Sequence, residues 1–148
     1  MNKKIVNIAI LDDEQTFGWR FKLILSRVGV VTQNFQHFLS TEIFIEDFIK
    51  MKESGMPYDI IFLDINLRVD DKDGFEILKL LREKLNGHPI IAIISSSDDE
   101  NDIKLAKQYG ANCYIIKSGD LYEFSARMRD FKEMFINNRV QEFILFND

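Results

Sequence analysis

Ile60-Ile61-Phe62-Leu63-Asp64 places four apolar residues in a row directly before a carboxylate. A strand with one wet face alternates apolar and polar residues. An unbroken apolar run fits a strand covered on both faces, and such strands belong to parallel sheets. Ile90-Ile91-Ala92-Ile93-Ile94, just ahead of Ser95, has the same character. The two read as the third and fourth of five short runs. The others are Ile5–Leu11, Val30–Phe35 and Asn112–Ile116, and the third run opens at Tyr58.

The stretches between these runs have helical period. Phe17, Phe21, Leu25 and Val28 line one face of a first helix near 14–28. Ile43, Phe44, Phe48 and Ile49 mark a second near 41–53, capped by Ser40 or Thr41. A third, near 74–85, carries Phe75, Ile77, Leu78, Leu81 and Leu85 and stops before Gly87 and Pro89. A fourth runs to Tyr109, with Ser97 and Glu100 at capping-box spacing and Gly110 closing it. The fifth, near 120–137, carries Leu121, Phe124, Met128, Phe131 and Phe135. Strands alternating with helices imply crossover connections. The expectation is an α/β fold, a doubly wound five-stranded parallel sheet with helices on both faces.

Composition narrows the function classes. A chain of 148 residues has room for one domain and a sizeable core. Charged residues at 29% and apolar residues at 46% exclude wholesale disorder. The single cysteine, Cys113, cannot form an intrachain disulfide and reads as a small buried hydrophobe. No apolar run approaches the roughly 20 residues of a membrane span. The start is too short in apolar residues and too acidic for a signal peptide, so a cytoplasmic protein is expected. A net charge of −5 gives no footprint for nucleic acid.

In open α/β sheets, ligands bind beyond the carboxyl ends of the strands. After the first strand come Asp12, Asp13 and Glu14; after the third, Asp64; after the fourth, Ser95; after the fifth, Lys117. Each has a plain structural reading. Asp12 or Asp13 fits a cap for the first helix, Asp64 a loop opening, Ser95 a cap for the fourth helix, and Lys117 a solvated strand end. Together those readings do not explain why carboxylates and a lysine share one corner. Two carboxylates 4 Å apart repel by about 4 kcal/mol at an effective dielectric near 20, so a cation should accompany them. Mg²⁺, which takes carboxylate, water and phosphate oxygens, fits that place. An aspartate beside Mg²⁺, a lysine and a hydroxyl is a plausible phosphoryl acceptor.

These residues resemble the receiver domain of two-component response regulators over about residues 5–137. The matching pieces are residues 8–14 through Asp12-Asp13-Glu14, residues 60–66 through Asp64-Ile65-Asn66, Asp73-Gly74-Phe75-Glu76, Ile93-Ile94-Ser95-Ser96, and Gly110 through Lys117. The resemblance implies a flavodoxin-like sheet of strand order 2-1-3-4-5. It implies a signalling protein rather than an enzyme, with Asp64 accepting a phosphoryl group from a histidine kinase or a histidine phosphotransfer protein. Asp13, Asp64 and the Asn66 backbone carbonyl would ligate Mg²⁺, with Asp12 acting through water. Lys117 and Ser95 would contact the phosphoryl group; Ser96 is the other hydroxyl at that strand end. Tyr114 falls on the family's aromatic switch position. Output would be contact with a downstream protein target through the fourth helix, fifth strand and fifth helix.

The chain departs from the family's pattern in places. Ser118 follows the lysine where proline is usual. The segment from Asp64 to Gly74 is longer than usual, with an acidic Asp70-Asp71-Lys72-Asp73 tip, and the fourth strand is a residue longer. The expected organisation is a receiver domain over 1–138 and an apolar tail over 139–148, with no effector domain. The tail's Phe143-Ile144-Leu145-Phe146 has strand-like composition. Its two readings are folding back onto the fifth helix or an edge strand, and packing on a second copy, as a homodimer, or on a partner.

Two rival functions stand beside this one. A phosphatase of the haloacid dehalogenase type needs a second carboxylate two residues after its nucleophile, where this chain has Asn66. A receiver-like docking module would work without phosphorylation. His37 and His88 are isolated, and Trp19 lies off the first helix's apolar stripe as a rim residue.

Overall fold

The structure, a computed structural model, describes residues 4–66, 73–85, 89–138 and 140–147. Asp70, Asp71 and Lys72 of the acidic tip, the stop signal Gly87, and His88 lie outside the described residues. The elements are β1 (Ile5–Leu11), α1 (Gln15–Arg27), β2 (Val31–Phe38), α2 (Thr41–Glu53), β3 (Ile60–Asp64) and α3 (Gly74–Lys84). There follow β4 (Ile90–Ser95), α4 (Glu100–Gln108), β5 (Cys113–Ile116), α5 (Leu121–Phe131), a π-helical turn over Lys132–Asn137, and β6 (Ile144–Phe146).

The sheet is flavodoxin-like, with every pairing parallel, in the order β2-β1-β3-β4-β5-β6. Six strands replace the five expected. The sixth comes from the segment read as a tail: Ile144, Leu145 and Phe146 pair with Cys113, Tyr114 and Ile115. The physical reason is the open edge of β5. An edge strand presents unpaired backbone groups, and an apolar run within reach satisfies them while burying its side chains. α5 and the π turn act as the crossover that brings that run back alongside β5.

The continuous apolar strands are sandwiched. Ile60 and Phe62 face one core with α1 and α5, while Ile61 and Leu63 face a second core with α2, α3 and α4. Ala92 and Ile94 of β4 likewise point opposite to Ile91 and Ile93. Phenylalanines fill the first core, with Phe21 edge-on to Phe62 at 4.8 Å and Phe131 stacked on Phe135 at 5.3 Å.

Helix starts follow the sequence in part. Ser40 Oγ accepts from Ile43 N, and Asp73 Oδ1 accepts from Glu76 N. Gly74 is required at the head of α3, because a Cβ there would collide with the Ile65 carbonyl. The Ser97–Glu100 capping box does not form. Asp99 caps α4, accepting from the amides of Asn101 and Asp102. Its short carboxylate sits beside the first free amides, while Ser97 Oγ instead donates to the Asp102 carboxylate at 2.7 Å.

No described helix is long and apolar enough to cross a membrane. β6 is anchored by Phe146, whose ring lies 6.2 Å from Phe131 and 6.0 Å from Phe135. Arg127 of α5 braces it, donating to the carbonyls of Ile116 at 2.6 Å and Asn147 at 2.7 Å. Truncating a buried phenylalanine typically costs 3–5 kcal/mol. Phe146→Ala should therefore lose about 3 kcal/mol in urea unfolding, with unchanged mass by light scattering. Wild-type stability in this variant would show that β6 is undocked in solution.

Candidate functional site

In a parallel sheet the carboxyl ends of all strands lie at one rim. Asp12 sits just beyond β1, Asp64 ends β3, Ser95 ends β4 and Lys117 follows β5. The rim brings these four together, and Asp13 with them. Carboxylate oxygens of Asp12, Asp13 and Asp64 all lie within 4.8 Å of one another. Asp12 and Asp64 are buried, while Asp13 is exposed.

Neither Asp12 nor Asp13 caps α1. Glu14 occupies the cap position and makes no side-chain cap bond. The two carboxylates are instead arranged as a matched pair. Asp12 Oδ1 accepts from Glu14 N at 2.8 Å, and Asp64 Oδ1 accepts from Asn66 N at 2.9 Å. Each remaining oxygen meets the same ammonium: Lys117 Nζ lies 3.2 Å from Asp12 Oδ2 and 3.3 Å from Asp64 Oδ2. That ammonium also stands 4.0 Å over the Phe17 ring. Phe17 was legible only as a core residue. Apolar spacing gives no sign that a ring faces a cation.

Burial pushes the Asp12 carboxyl above its ordinary value. The Glu14 amide and Lys117 pull it back down, and Asp64 adds to the rise. A buried carboxylate held against another in this way favours a cation in the pocket. The donor set is all hard oxygen, with Asp12, Asp13 and Asp64 able to supply ligand atoms, and this suits a divalent ion such as Mg²⁺.

The two serines at the end of β4 part company. Ser95 is fully buried, and its Oγ accepts from Ser97 N at 3.1 Å. Ser96 is exposed and lines a groove beside Lys117. That groove, of about 480 Å³, is walled by Phe17, Leu23, Leu121 and Phe124. Tyr114 is fully buried, and its hydroxyl donates to the Ser97 carbonyl at 3.0 Å. Burial raises the Tyr114 hydroxyl above its ordinary value.

Among the described residues no peptide bond is cis, so Ser118 follows Lys117 through a trans bond. Ser118 Oγ donates to Glu123 Oε2 at 2.7 Å and accepts from Asp120 N at 3.1 Å. The serine thus shapes this loop with side-chain hydrogen bonds. Two other residues near the site carried no sequence signal. His37 lies with Nε2 2.7 Å from the Asp12 carbonyl oxygen, and Arg127 binds the carbonyl of Ile116, the residue before Lys117.

Comparison with known proteins agrees with this geometry. Residues 8–129 match the family described as the response regulator receiver domain. The DNA-binding transcriptional regulator NtrC of Proteus hauseri is 29% identical over 117 residues, covering 79% of this chain and 22% of that protein. Response regulator ArlR of Staphylococcus epidermidis is 32% identical over 128 residues, covering 84% of this chain and 52% of that protein. The chain therefore spans about half the length, or less, of these curated relatives. The crystal structure of response regulator RPA3017, in red light signaling of R. palustris, superposes with a TM-score of 0.75 at 18% identity, covering 89% of this chain and 94% of that one. The last of these shows the fold alone. The match across most of the chain shows more: the protein belongs to the response regulator receiver domain family, a family of signalling modules.

Proposed function

We propose that Asp64 accepts a phosphoryl group from a histidine kinase or a histidine phosphotransfer protein, in a Mg²⁺-dependent reaction, and that the chain signals by protein contact. The observation that carries this is the asymmetry of the Asp64 carboxylate. One oxygen is fixed by the Asn66 amide, and the other faces Lys117 inside an acidic pocket. That second oxygen is the nucleophile. It attacks phosphorus, the bond from phosphorus to the donor breaks, and the donor departs with the electron pair.

Asp13, Asp64 and the Asn66 backbone carbonyl would hold Mg²⁺, with Asp12 acting through water. Held there, Mg²⁺ would supply positive charge to offset that of the transferring group. Lys117 exchanges its contact with Asp64 for one with the transferred group. The Ser95 oxygen accepts from Ser97 N and lies beside the Tyr114 hydroxyl, and a phosphoryl oxygen would compete for the Ser95 proton. Its donation to a phosphoryl oxygen would pull on the segment that carries the Ser97 carbonyl, to which Tyr114 is bonded. A donor protein would approach over the groove beside Lys117, where Leu23 and Leu121 are exposed. Output would be read on the face of α4, β5 and α5. In this chain that face includes β6.

Incubation with acetyl phosphate and Mg²⁺ should add one acid-stable, base-labile phosphoryl group, and Asp64→Asn should abolish it. Labelling that survives in Asp64→Asn would sink the assignment. Ser95→Ala should still be labelled while losing most of the phosphorylation-dependent gain in partner affinity, a coupling of typically 1–3 kcal/mol. The same loss in Ser96→Ala and none in Ser95→Ala would move the role to the exposed serine.

Asp12 gives a pH test. Its folded value is raised, so the stability tied to it is full below the unfolded value near 3.8 and is lost as pH rises through the folded one. Asp12→Asn removes that loss. Without metal, its melting temperature at pH 7 should exceed wild type by about 2–4 °C. The gain should vanish below about pH 4, where the wild-type carboxyl is also neutral. An equal or lower melting temperature at pH 7 would show that Lys117 and the Glu14 amide fully offset the burial.

A further inference from the structure

We propose that His37 is a positioning residue for the acidic pocket: its imidazole holds the backbone turn that aims Asp12 and Asp13. The proposal rests on the phosphoacceptor reading above. His37 is the second-to-last residue of β2, half-buried, with Nε2 2.7 Å from the Asp12 carbonyl oxygen. A carbonyl only accepts, so Nε2 carries the proton of this bond.

Few other bonds hold the turn. The neighbouring backbone bond, from Asp12 N to Phe38 O, is long at 3.4 Å. The Glu14 amide binds Asp12 Oδ1 from within the turn, and Lys117 reaches the Asp12 carboxylate rather than its backbone. Among the described residues, His37 is the one side chain from outside the turn bonded to its backbone. Asp12 is fully buried, so with the imidazole in place its carbonyl is closed to solvent.

The ring is itself held in place. A Cβ at Gly18 would lie 2.5 Å from His37 Nδ1 and 2.9 Å from Cγ. Gly18 therefore lets α1 approach the imidazole closely, and the ring sits between the helix and the turn. Rotating the peptide between residues 12 and 13 would swing both carboxylates together. Mg²⁺ demands near-ideal octahedral geometry, so such a swing registers as lost affinity.

The test uses the full chain and His37→Phe, which keeps a ring against Gly18 but cannot donate. Its Mg²⁺ affinity by calorimetric titration should fall roughly 10-fold. His37→Gln, whose amide can still donate, should recover most of it. Gly18→Ala pushes the ring aside and should give a similar loss, with no further loss in the double variant Gly18→Ala/His37→Phe. Circular dichroism identifies the folded variants. Wild-type affinity in folded His37→Phe, or an equal loss in His37→Gln, overturns the proposal. The Glu14 amide resonance of the metal-free protein gives an independent readout. It should move in His37→Phe and return in His37→Gln, and an unmoved resonance also overturns the proposal. A wild type that neither binds Mg²⁺ nor takes up phosphoryl sinks the phosphoacceptor reading, while the amide resonance still decides the part played by His37.

Discussion

The ammonium of Lys117, bound at once to Asp12 and Asp64, is the interaction on which the arrangement of this protein turns. Two buried carboxylates at neighbouring strand ends repel, and burial raises the cost of each charge. A single bridging cation offsets much of that cost without adding net stability, since desolvating three charged groups consumes what their attraction supplies. The backbone divides the remaining work. Glu14 and Asn66 amides hold one oxygen of each carboxylate and leave the other for the lysine. This geometry requires β1, β3 and β5 to end at one rim, which only a parallel sheet with crossovers delivers. The apolar strands and the polar rim are thus two sides of one constraint.

The far side of β5 shows how that rim is tied to the surface. Lys117 N donates to Ser95 O at 2.7 Å, fixing the end of β5 to the end of β4. One residue earlier, the Ile116 carbonyl accepts from Arg127, whose other nitrogen holds the Asn147 carbonyl beyond β6. The guanidinium is buried, and stranding its donors without these carbonyls would cost about 1–3 kcal/mol or more. Its link to Glu123, at 4.0 Å and largely exposed on the glutamate side, adds little. The brace ties the end of β5 to the residue just beyond the added strand.

The fold was legible where burial leaves a period in the sequence. β3 and β4 announce themselves because both faces are covered, and the stripes of α1 and α5 because one face is. What stayed hidden is what depends on partners far apart in sequence. Phe143 through Phe146 look like a strand, but nothing local states that the edge of β5 will receive them. Ser95 and Ser96 are equivalent as letters; only the register of β4 buries the first and exposes the second. Asp99 displaced the expected capping box because Ser97 had a better partner in Asp102. The acidic rim was readable because each polar residue follows an apolar run. His37 was not, since its partner is a backbone carbonyl, and a backbone carbonyl is the same at every position.

β6 also changes what Tyr114 can mean in this chain. The tyrosine pairs through its backbone with Leu145, and its side chain lies in the core against which Phe143 packs. Lys107 of α4 stands 6.0 Å over the Phe143 ring. Tyr114, Ala106 of α4 and Phe143 of the C-terminal segment therefore belong to one side of the sheet's core. Close-packed layers do not deform continuously; they exchange between discrete arrangements. The Ser97 carbonyl, to which the Tyr114 hydroxyl is bonded, ties the head of α4 to this core. A partner meeting this face would meet the C-terminal strand with it.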